Sequence, residues 1–281
     1  MITGSTQLLG VIGDPISHSD SPLIHNAMLS LHEIDMVYLP FHVKPEKLQE
    51  TVQALKSMNV RGFNVTVPHK ESILQCLDEV DESALQVGAV NTVINEKGRL
   101  IGYNTDGRGF LFTLKEQYGF DLRDKHVCIL GSGGTAKALS LVCASQGISK
   151  LSIINRTLTK AQQLGDVLSD QSDCSIEAFQ LNSDDSFVAL EGADLIIQTT
   201  SVGMILEECP LNDFKWVSSD KICYDVIYKP RKTRFLTLAE EAGAKTINGV
   251  HMLVAQAMYA YTLFTGTDAD YAVMLQQLSQ G

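Results

Sequence analysis

Several features are missing from this chain of 281 residues. It has no run of Lys and Arg and no basic helical face, so nothing in it is laid out to follow a nucleic-acid backbone. No apolar stretch approaches the roughly 20 residues that cross a bilayer, so no membrane partner is expected. The six cysteines, Cys76, Cys128, Cys143, Cys174, Cys209 and Cys223, include no Cys-x-x-Cys pair. A disulfide framework belongs to small secreted chains, and this one is neither small nor signal-bearing. Its first ten residues lack the basic region and long apolar core of a secretion signal. These absences together lead us to expect a reduced, cytoplasmic, soluble protein. His18, His25 and His32 recur at regular spacing with no Cys or carboxylate cluster beside them, so no metal is expected. There is no internal repeat and no low-complexity segment.

What remains is enough for a sizeable core. The chain is 44% hydrophobic, which suits one large domain or two medium ones. Its formal net charge of -11 does not bar local binding of an anionic ligand. Short apolar runs alternate with amphipathic helical ones in the rhythm of a sheet covered by helices. In the first half, strands are expected over 8–12, 37–43 and 62–67, and helices over 22–31, 45–58 and 68–77. From 126 onward a second series reads as strands 126–130, 151–155, 195–198 and 221–225 with helices 135–146, 159–168 and 234–242. That is a parallel, doubly wound pattern. Helical periodicity returns over 252–264 and 271–278. Gly107 and Gly109 suggest a boundary near 106–109.

The densest polar motif is Asn64-Val-Thr-Val-Pro-His-Lys70. On a strand, Asn64 and Thr66 share one face. Pro68 suits the first position of a helix, which would put Lys70 in a first turn, where the helix dipole lowers an ammonium pKa. Two hydrogen-bonding side chains and a tunable lysine describe a site for a polar small molecule.

Strand 126–130 runs into Gly131-Ser132-Gly133-Gly134-Thr135-Ala136, which satisfies Gly-x-Gly-x-x-(Gly/Ala) between a strand and a helix. Such a turn lets a helix N-terminus approach a pyrophosphate, although a plain strand–helix turn reads the same way. The second strand ends in Asn155-Arg156-Thr157, with Lys160 one turn on and no acid at the tip. These groups suit a ribose 2′-phosphate, so NADP is preferred to NAD. As a plain surface turn, Arg156 would be solvated and Thr157 a helix cap.

Near the N-terminus, Ser21 is a cap candidate ahead of Pro22, and Ser19 stands beside it. Two hydroxyls at a helix start favour a carboxylate. Asn91 and Asp106 sit in polar runs at strand ends. Asp106 also reads as a helix cap, yet it is the best partner for Lys70 in this half. Thr199, Ser201 and Tyr228 follow strands of the second series. Gln256 is a lone amide on an apolar helix and needs a partner.

Taken together these runs resemble the shikimate dehydrogenase family over nearly the whole chain. They are Gly13-Asp-Pro-Ile with His18-Ser-Asp-Ser-Pro22, Asn64 to Lys70, Gly88-Ala-Val-Asn-Thr92, Tyr103-Asn-Thr-Asp-Gly107, Gly131-Ser-Gly-Gly134, Asn155-Arg-Thr157, Thr200-Ser-Val-Gly-Met204 and Met252-Leu-Val-Ala-Gln256. The resemblance implies an α/β protein of two domains with a cleft between them. A substrate domain would comprise 1–106 plus 249–281, and a Rossmann-type NADP domain 107–248. It implies the reversible, NADPH-dependent reduction of 3-dehydroshikimate to shikimate, by a monomer or homodimer. By position, Ser19 and Ser21 would bind the carboxylate, with Tyr228 nearby. Asn64, Thr66, Asn91, Asp106 and Gln256 would hold ring hydroxyls, and Lys70 and Asp106 would be the catalytic pair. Thr199, Ser201, Val226 and Gly249 would join the glycine loop and the 155–160 tip around NADP(H).

Gln198, Val226 and His251 depart from the commoner family pattern. The quinate or dual quinate/shikimate branch often alters one of the two serines and carries an acid at the second strand tip. Both serines and the Asn-Arg-Thr run are present here, which favours shikimate with NADP. A non-catalytic regulator binding NADP(H) or shikimate would be expected to lose Lys70 or Asp106.

Overall fold

The computed structural model describes residues 2–279. Its chain divides into two compact units, Met1–Phe110 with Val254–Gly281, and Leu111–Leu253. Both crossings lie inside helices.

The first unit holds β1 (Gln7–Gly13), α1 (Ser21–Leu31), β2 (Met36–His42), α2 (Leu48–Ser57), β3 (Gly62–Val65), β4 (Glu79–Val80), α3 (Glu82–Val87), β5 (Thr92–Glu96) and β6 (Arg99–Tyr103). The helix α4 (Asp106–Phe112) carries the chain out. The sheet order is β2-β1-β3-β5-β6-β4. β1 runs parallel to β2 and β3, whereas β5 runs antiparallel to both β3 and β6. The C-terminal ends of β1, β3 and β6 and the N-terminal end of β5 therefore share one edge. Ser19, Thr66, Lys70, Asn91 and Asp106 all come from segments leaving or entering that edge.

Apolar side chains decide which face is covered. Val52 and Leu55 of α2 pack with Ile12, Phe63, Val65, Val93 and Leu100 of the strands. Full burial of each such side chain contributes about 1.5–3 kcal/mol.

The second unit comprises β7 (His126–Leu130), α5 (Gly134–Ser145), β8 (Lys150–Asn155), α6 (Leu158–Ser169), β9 (Ser175–Gln180), α7 (Asp184–Gly192), β10 (Leu195–Gln198), β11 (Ile222–Asp225), α8 (Arg234–Glu241) and β12 (Lys245–Ile247). α9 (Val250–Thr265) leads back to the first unit, and α10 (Tyr271–Ser279) follows. The sheet order is β12-β11-β10-β7-β8-β9, with every pairing parallel. Its inner strands β7 and β10 are nearly continuous apolar, buried runs, as expected where helices cover both faces, whereas the edge strand β9 alternates. The order reverses between β7 and β10, so the turns after these two strands flank a topological switch point.

Three local expectations change. The helix over 68–77 is a turn followed by a 3-10 segment at Ser72–Cys76, and β3 ends at Val65. Tertiary bonds take the groups a helix would need: the Val90 N–H donates to the Lys70 carbonyl at 2.8 Å. Lys70 therefore precedes a short 3-10 segment, and the helix-dipole argument does not apply to it. Ser21 is the first residue of α1 rather than its cap, a position taken by Asp20. The expected helix 45–58 opens as 3-10 turn Pro45–Lys47 before α2.

Candidate active site

In the first unit, Lys70 Nζ donates to Asp106 Oδ2 at 2.7 Å. Their side chains keep 29% and 15% of their exposure, so the pair is reachable from solvent although largely enclosed. Asp106 opens α4, yet its carboxylate faces other segments: Oδ1 accepts from Asn91 Nδ2 at 2.9 Å. Two neighbours set its position. Asn104 Oδ1 accepts the Asp106 N–H at 3.0 Å, and buried Thr105 bonds both ends of the Asn91 amide.

Asn91 also donates to Gln256 Oε1 at 3.4 Å, which brings α9 to the same cluster. Gly109 permits this approach, since a Cβ there would stand 2.7 Å from the Gln256 backbone nitrogen. The glycine that suggested a boundary is thus a point of close helix contact.

Asn64 is buried on β3. Its Nδ2 donates to the Asn91 carbonyl and to Thr92 Oγ1, each at 3.0 Å, and its Oδ1 accepts from Tyr38 at 2.7 Å. A reversed amide would set Oδ1 against the Asn91 carbonyl oxygen, so the orientation is fixed by the network. Thr66 lies just past the end of β3, half-buried, with its methyl against Gly13. Ser19 Oγ accepts the Ser21 N–H at 3.3 Å, which ties the two serines together at the start of α1. Tyr38, Asn104 and Thr105 are the participants that reading the sequence missed. A buried tyrosine on a strand is a usable signal, because its hydroxyl needs a partner.

In the second unit, the turn after β7 holds Gly131 at φ +116, a conformation suited to glycine. A Cβ there would stand 2.6 Å from Thr199 Oγ1. Ser132 is half-buried, and Gly133 and Gly134 are exposed at the start of α5, whose first N–H groups lack helical acceptors. Thr135 lies in that first turn, and Ala136 is fully buried, which lets α5 lie close on its strand. Thr199 Oγ1 donates to the Leu130 carbonyl at 2.7 Å, so the turns after β7 and β10 are locked together.

Arg156 and Lys160 are exposed beyond β8, and among the described residues no carboxylate pairs with either. Asn155 Nδ2 donates to the Thr157 carbonyl at 2.9 Å and shapes the tip. Thr157 occupies the cap position of α6 without a side-chain cap bond, so capping does not account for it. Ser201 is exposed, and Val226 is half-buried, its N–H donating to the Gln198 carbonyl. The Gly249 N–H donates to the Ile227 carbonyl, and half-buried Tyr228 follows in that same segment.

The departures at Gln198 and His251 have structural content. Fully buried Gln198 accepts from the Thr200 N–H and donates to the Thr200 and Val202 carbonyls, closing the loop that carries Ser201. His251 stacks edge-on against Tyr118, and burial followed by the nearby Arg231 charge holds its pKa below the ordinary value. Among the described residues no three His, Cys, Asp or Glu side chains converge as a metal set, and no helix is long and apolar enough to cross a membrane.

A doubly wound sheet with a glycine turn at its switch point, in one chain with a unit that pairs an ammonium with a carboxylate among amides, defines a nucleotide-dependent oxidoreductase of small polar molecules. Residues 11–93 match the family described as shikimate dehydrogenase substrate binding domain, 113–233 that of shikimate / quinate 5-dehydrogenase, and 249–278 the shikimate 5'-dehydrogenase C-terminal domain. A shikimate dehydrogenase (NADP(+)) of Alkaliphilus oremlandii is 41% identical, over 94% of this chain and 93% of its own. A shikimate dehydrogenase crystallised with NADP+ superposes with a TM-score of 0.92 at 36% identity, covering 100% of this chain and 97% of that one. The shikimate 5-dehydrogenase of Listeria monocytogenes, in complex with shikimate and NAD, gives 0.91 at 35% identity, covering 99% and 98%. The chain belongs to the shikimate dehydrogenase family.

Proposed function

We propose that this protein catalyses the reversible, NADPH-dependent reduction of 3-dehydroshikimate to shikimate, on the route to chorismate and aromatic amino acids. The observation that carries the reading is the Lys70–Asp106 pair, joined through Asn91 to Gln256 and through Asn64 to the first-unit core. Ser19 and Ser21 hold the substrate carboxylate, together with Tyr228. Asn64, Thr66, Asn91, Asp106 and Gln256 hold the ring hydroxyls. We assign 1–106 plus 249–281 to substrate and 107–248 to the nucleotide.

The turn after β7 fits a dinucleotide, because nothing stands within 4 Å of where a Cβ of Gly133 would lie, so the backbone at the start of α5 is open to a ligand. Residues 131–136 hold the pyrophosphate there, and Asn155, Arg156, Thr157 and Lys160 hold a 2′-phosphate. Thr199, Ser201, Val226 and Gly249 line the rest of the nucleotide site. A reduced nicotinamide, when bound, supplies the hydride for the carbonyl. The chain's own residues do the remainder. Lys70 presents a positive charge and a proton to the oxygen that becomes a hydroxyl. Asp106 holds that ammonium at 2.7 Å and accepts from the substrate hydroxyl. Asn91 keeps the carboxylate in place by a neutral hydrogen bond. The rate gained comes mostly from alignment and from charge placed where the alkoxide develops. The setting is cytoplasmic, and the working form is a monomer or homodimer.

The test is the appearance of reduced nucleotide with shikimate and with quinate, each against NADP and NAD. Turnover confined to shikimate with NADP is expected. Quinate or NAD turnover would leave the Lys70–Asp106 chemistry in place and overturn the specificity reading. Folded protein that binds NADP but turns over none of the four pairs would overturn the enzymatic one.

A further inference from the structure

Tyr38 lies on β2 with none of its surface exposed. Its backbone is held from both sides by Asn26 of α1, which accepts the Tyr38 N–H at 2.9 Å and donates to the Tyr38 carbonyl at 2.8 Å. Its ring is stacked on His25 of the same helix, with centroids 4.3 Å apart and planes within 7°. Phe264 closes the ring's edge at 6.4 Å. A phenol held this firmly has one place to put its hydroxyl. It donates to Asn64 Oδ1 at 2.7 Å, and the His25 ring on which it is stacked lies one turn of α1 beyond Ser21.

Asn64 therefore has both N–H groups consumed by Asn91 and Thr92 and one lone pair of Oδ1 consumed by Tyr38. One acceptor position remains, so towards a ligand this side chain can only accept. Ser21, one turn before His25, opens α1. The buried Tyr38 side chain thus spans from the first two turns of α1 to the amide of β3.

We propose that Tyr38 is a positioning residue, whose buried hydroxyl sets the placement of Asn64 relative to Ser21 and so matches the carboxylate end of the site to its ring end. This rests on the assignment of Ser21 and Asn64 to shikimate made above. Tyr38 touches neither substrate nor cofactor; it acts through the side chains that do. Its loss weakens ground-state binding and leaves the Lys70–Asp106 pair in place.

The test is Tyr38→Phe, which keeps the stacked ring and removes only the hydroxyl. Loss of one buried hydrogen bond at Asn64 raises the shikimate KM about tenfold. The kcat stays within about twofold of wild type, and the NADP KM is unchanged. The same change made on top of Asn64→Ala adds less than about twofold, because both remove one interaction. A Tyr38→Phe enzyme with wild-type shikimate KM, or full additivity with Asn64→Ala, overturns the proposal. If Tyr38→Phe does not fold, side-chain amide NMR of the wild-type protein decides. Two resolved, slowly exchanging Asn64 protons, identified by their loss in Asn64→Ala, support the locked amide. Rapid exchange overturns it. Wild-type protein that does not oxidise shikimate removes the functional reading and this one with it. A normal wild-type rate with an unaffected variant removes only the role of Tyr38.

Discussion

Lys70 gives its ammonium to one oxygen of Asp106 at 2.7 Å while Asn91 gives an amide proton to the other at 2.9 Å. The carboxylate is thus shared between a charge and a dipole drawn from different strand ends. Neither partner is local in sequence, so the arrangement belongs to the sheet edge rather than to any single motif. A helix cap would instead turn the carboxylate towards the first N–H groups of its own helix.

In the proposed reaction the Lys70 ammonium acts on an oxygen that gains charge, rather than only holding the ground state. Lys70→Ala is therefore expected to lower kcat by about a hundredfold to ten-thousandfold. The shikimate KM should move by less than about threefold. Steady-state kinetics with both substrates varied reads the split. Near-normal turnover would remove Lys70 from the chemistry.

Arg156 stands exposed at the tip of β8 with Lys160 close behind in α6. Charge-assisted hydrogen bonds to a phosphate are worth about 1.5–3 kcal/mol. Arg156→Ala should then raise the NADP KM by roughly ten- to a hundredfold and leave the NAD KM alone. An equal effect on both nucleotides would mean that Arg156 does not read the 2′-phosphate.

Gly131 has the positive φ and the tight surroundings that the glycine pattern implied. Gly131→Ala would press a methyl onto Thr199 Oγ1 and strain the backbone as well. NADP binding, followed by nucleotide fluorescence, should weaken at least tenfold, with shikimate binding unchanged. A variant that binds NADP normally would show that the turn can relax.

The sequence made the centre of the second unit easy to read, because its inner parallel strands are mostly apolar runs and the glycine turn marks the first crossover, whereas the edge strands β9 and β12, polar or short, gave no such signal. The first unit was harder. β5 and β6 carry Asn95, Arg99 and Tyr103 among their apolar residues, so the antiparallel hairpin that brings Asn91 to the edge gave no clean period. At Lys70 the local signal pointed to a helix, and tertiary bonds won: the Lys70 carbonyl serves Val90 instead. The individual polar residues of the site were legible as motifs. Their connections through Tyr38 and Thr105 were not, because a hydrogen bond between distant strands leaves no spacing to read.

Asp225 ends β11 and anchors the segment that carries Tyr228. Its Oδ1 accepts the Ile227 N–H at 2.9 Å and its Oδ2 accepts from Thr233 at 2.6 Å. Burial, only partly offset by those two bonds, pushes its pKa up to about 6 from the usual carboxylate value of 3.8. In the folded protein the proton is therefore held at a pH where the unfolded chain has released it. Between about 4 and 6 the native state binds more protons, so this group adds stability as pH falls and costs stability above pH 6. The full cost is about 3 kcal/mol once Asp225 is ionised. His25 works in the opposite sense. Burial pushes its pKa down to about 3, so protonation of the unfolded chain below 6.5 draws stability away. Comparing one variant with wild type separates the two. Asp225→Asn keeps the shape and an acceptor for Ile227 but carries no charge. Its melting temperature should exceed that of wild type at pH 8, and the difference should shrink towards zero by pH 4. A difference that stays constant from pH 8 to pH 4 would mean that Asp225 is ionised in the native state throughout.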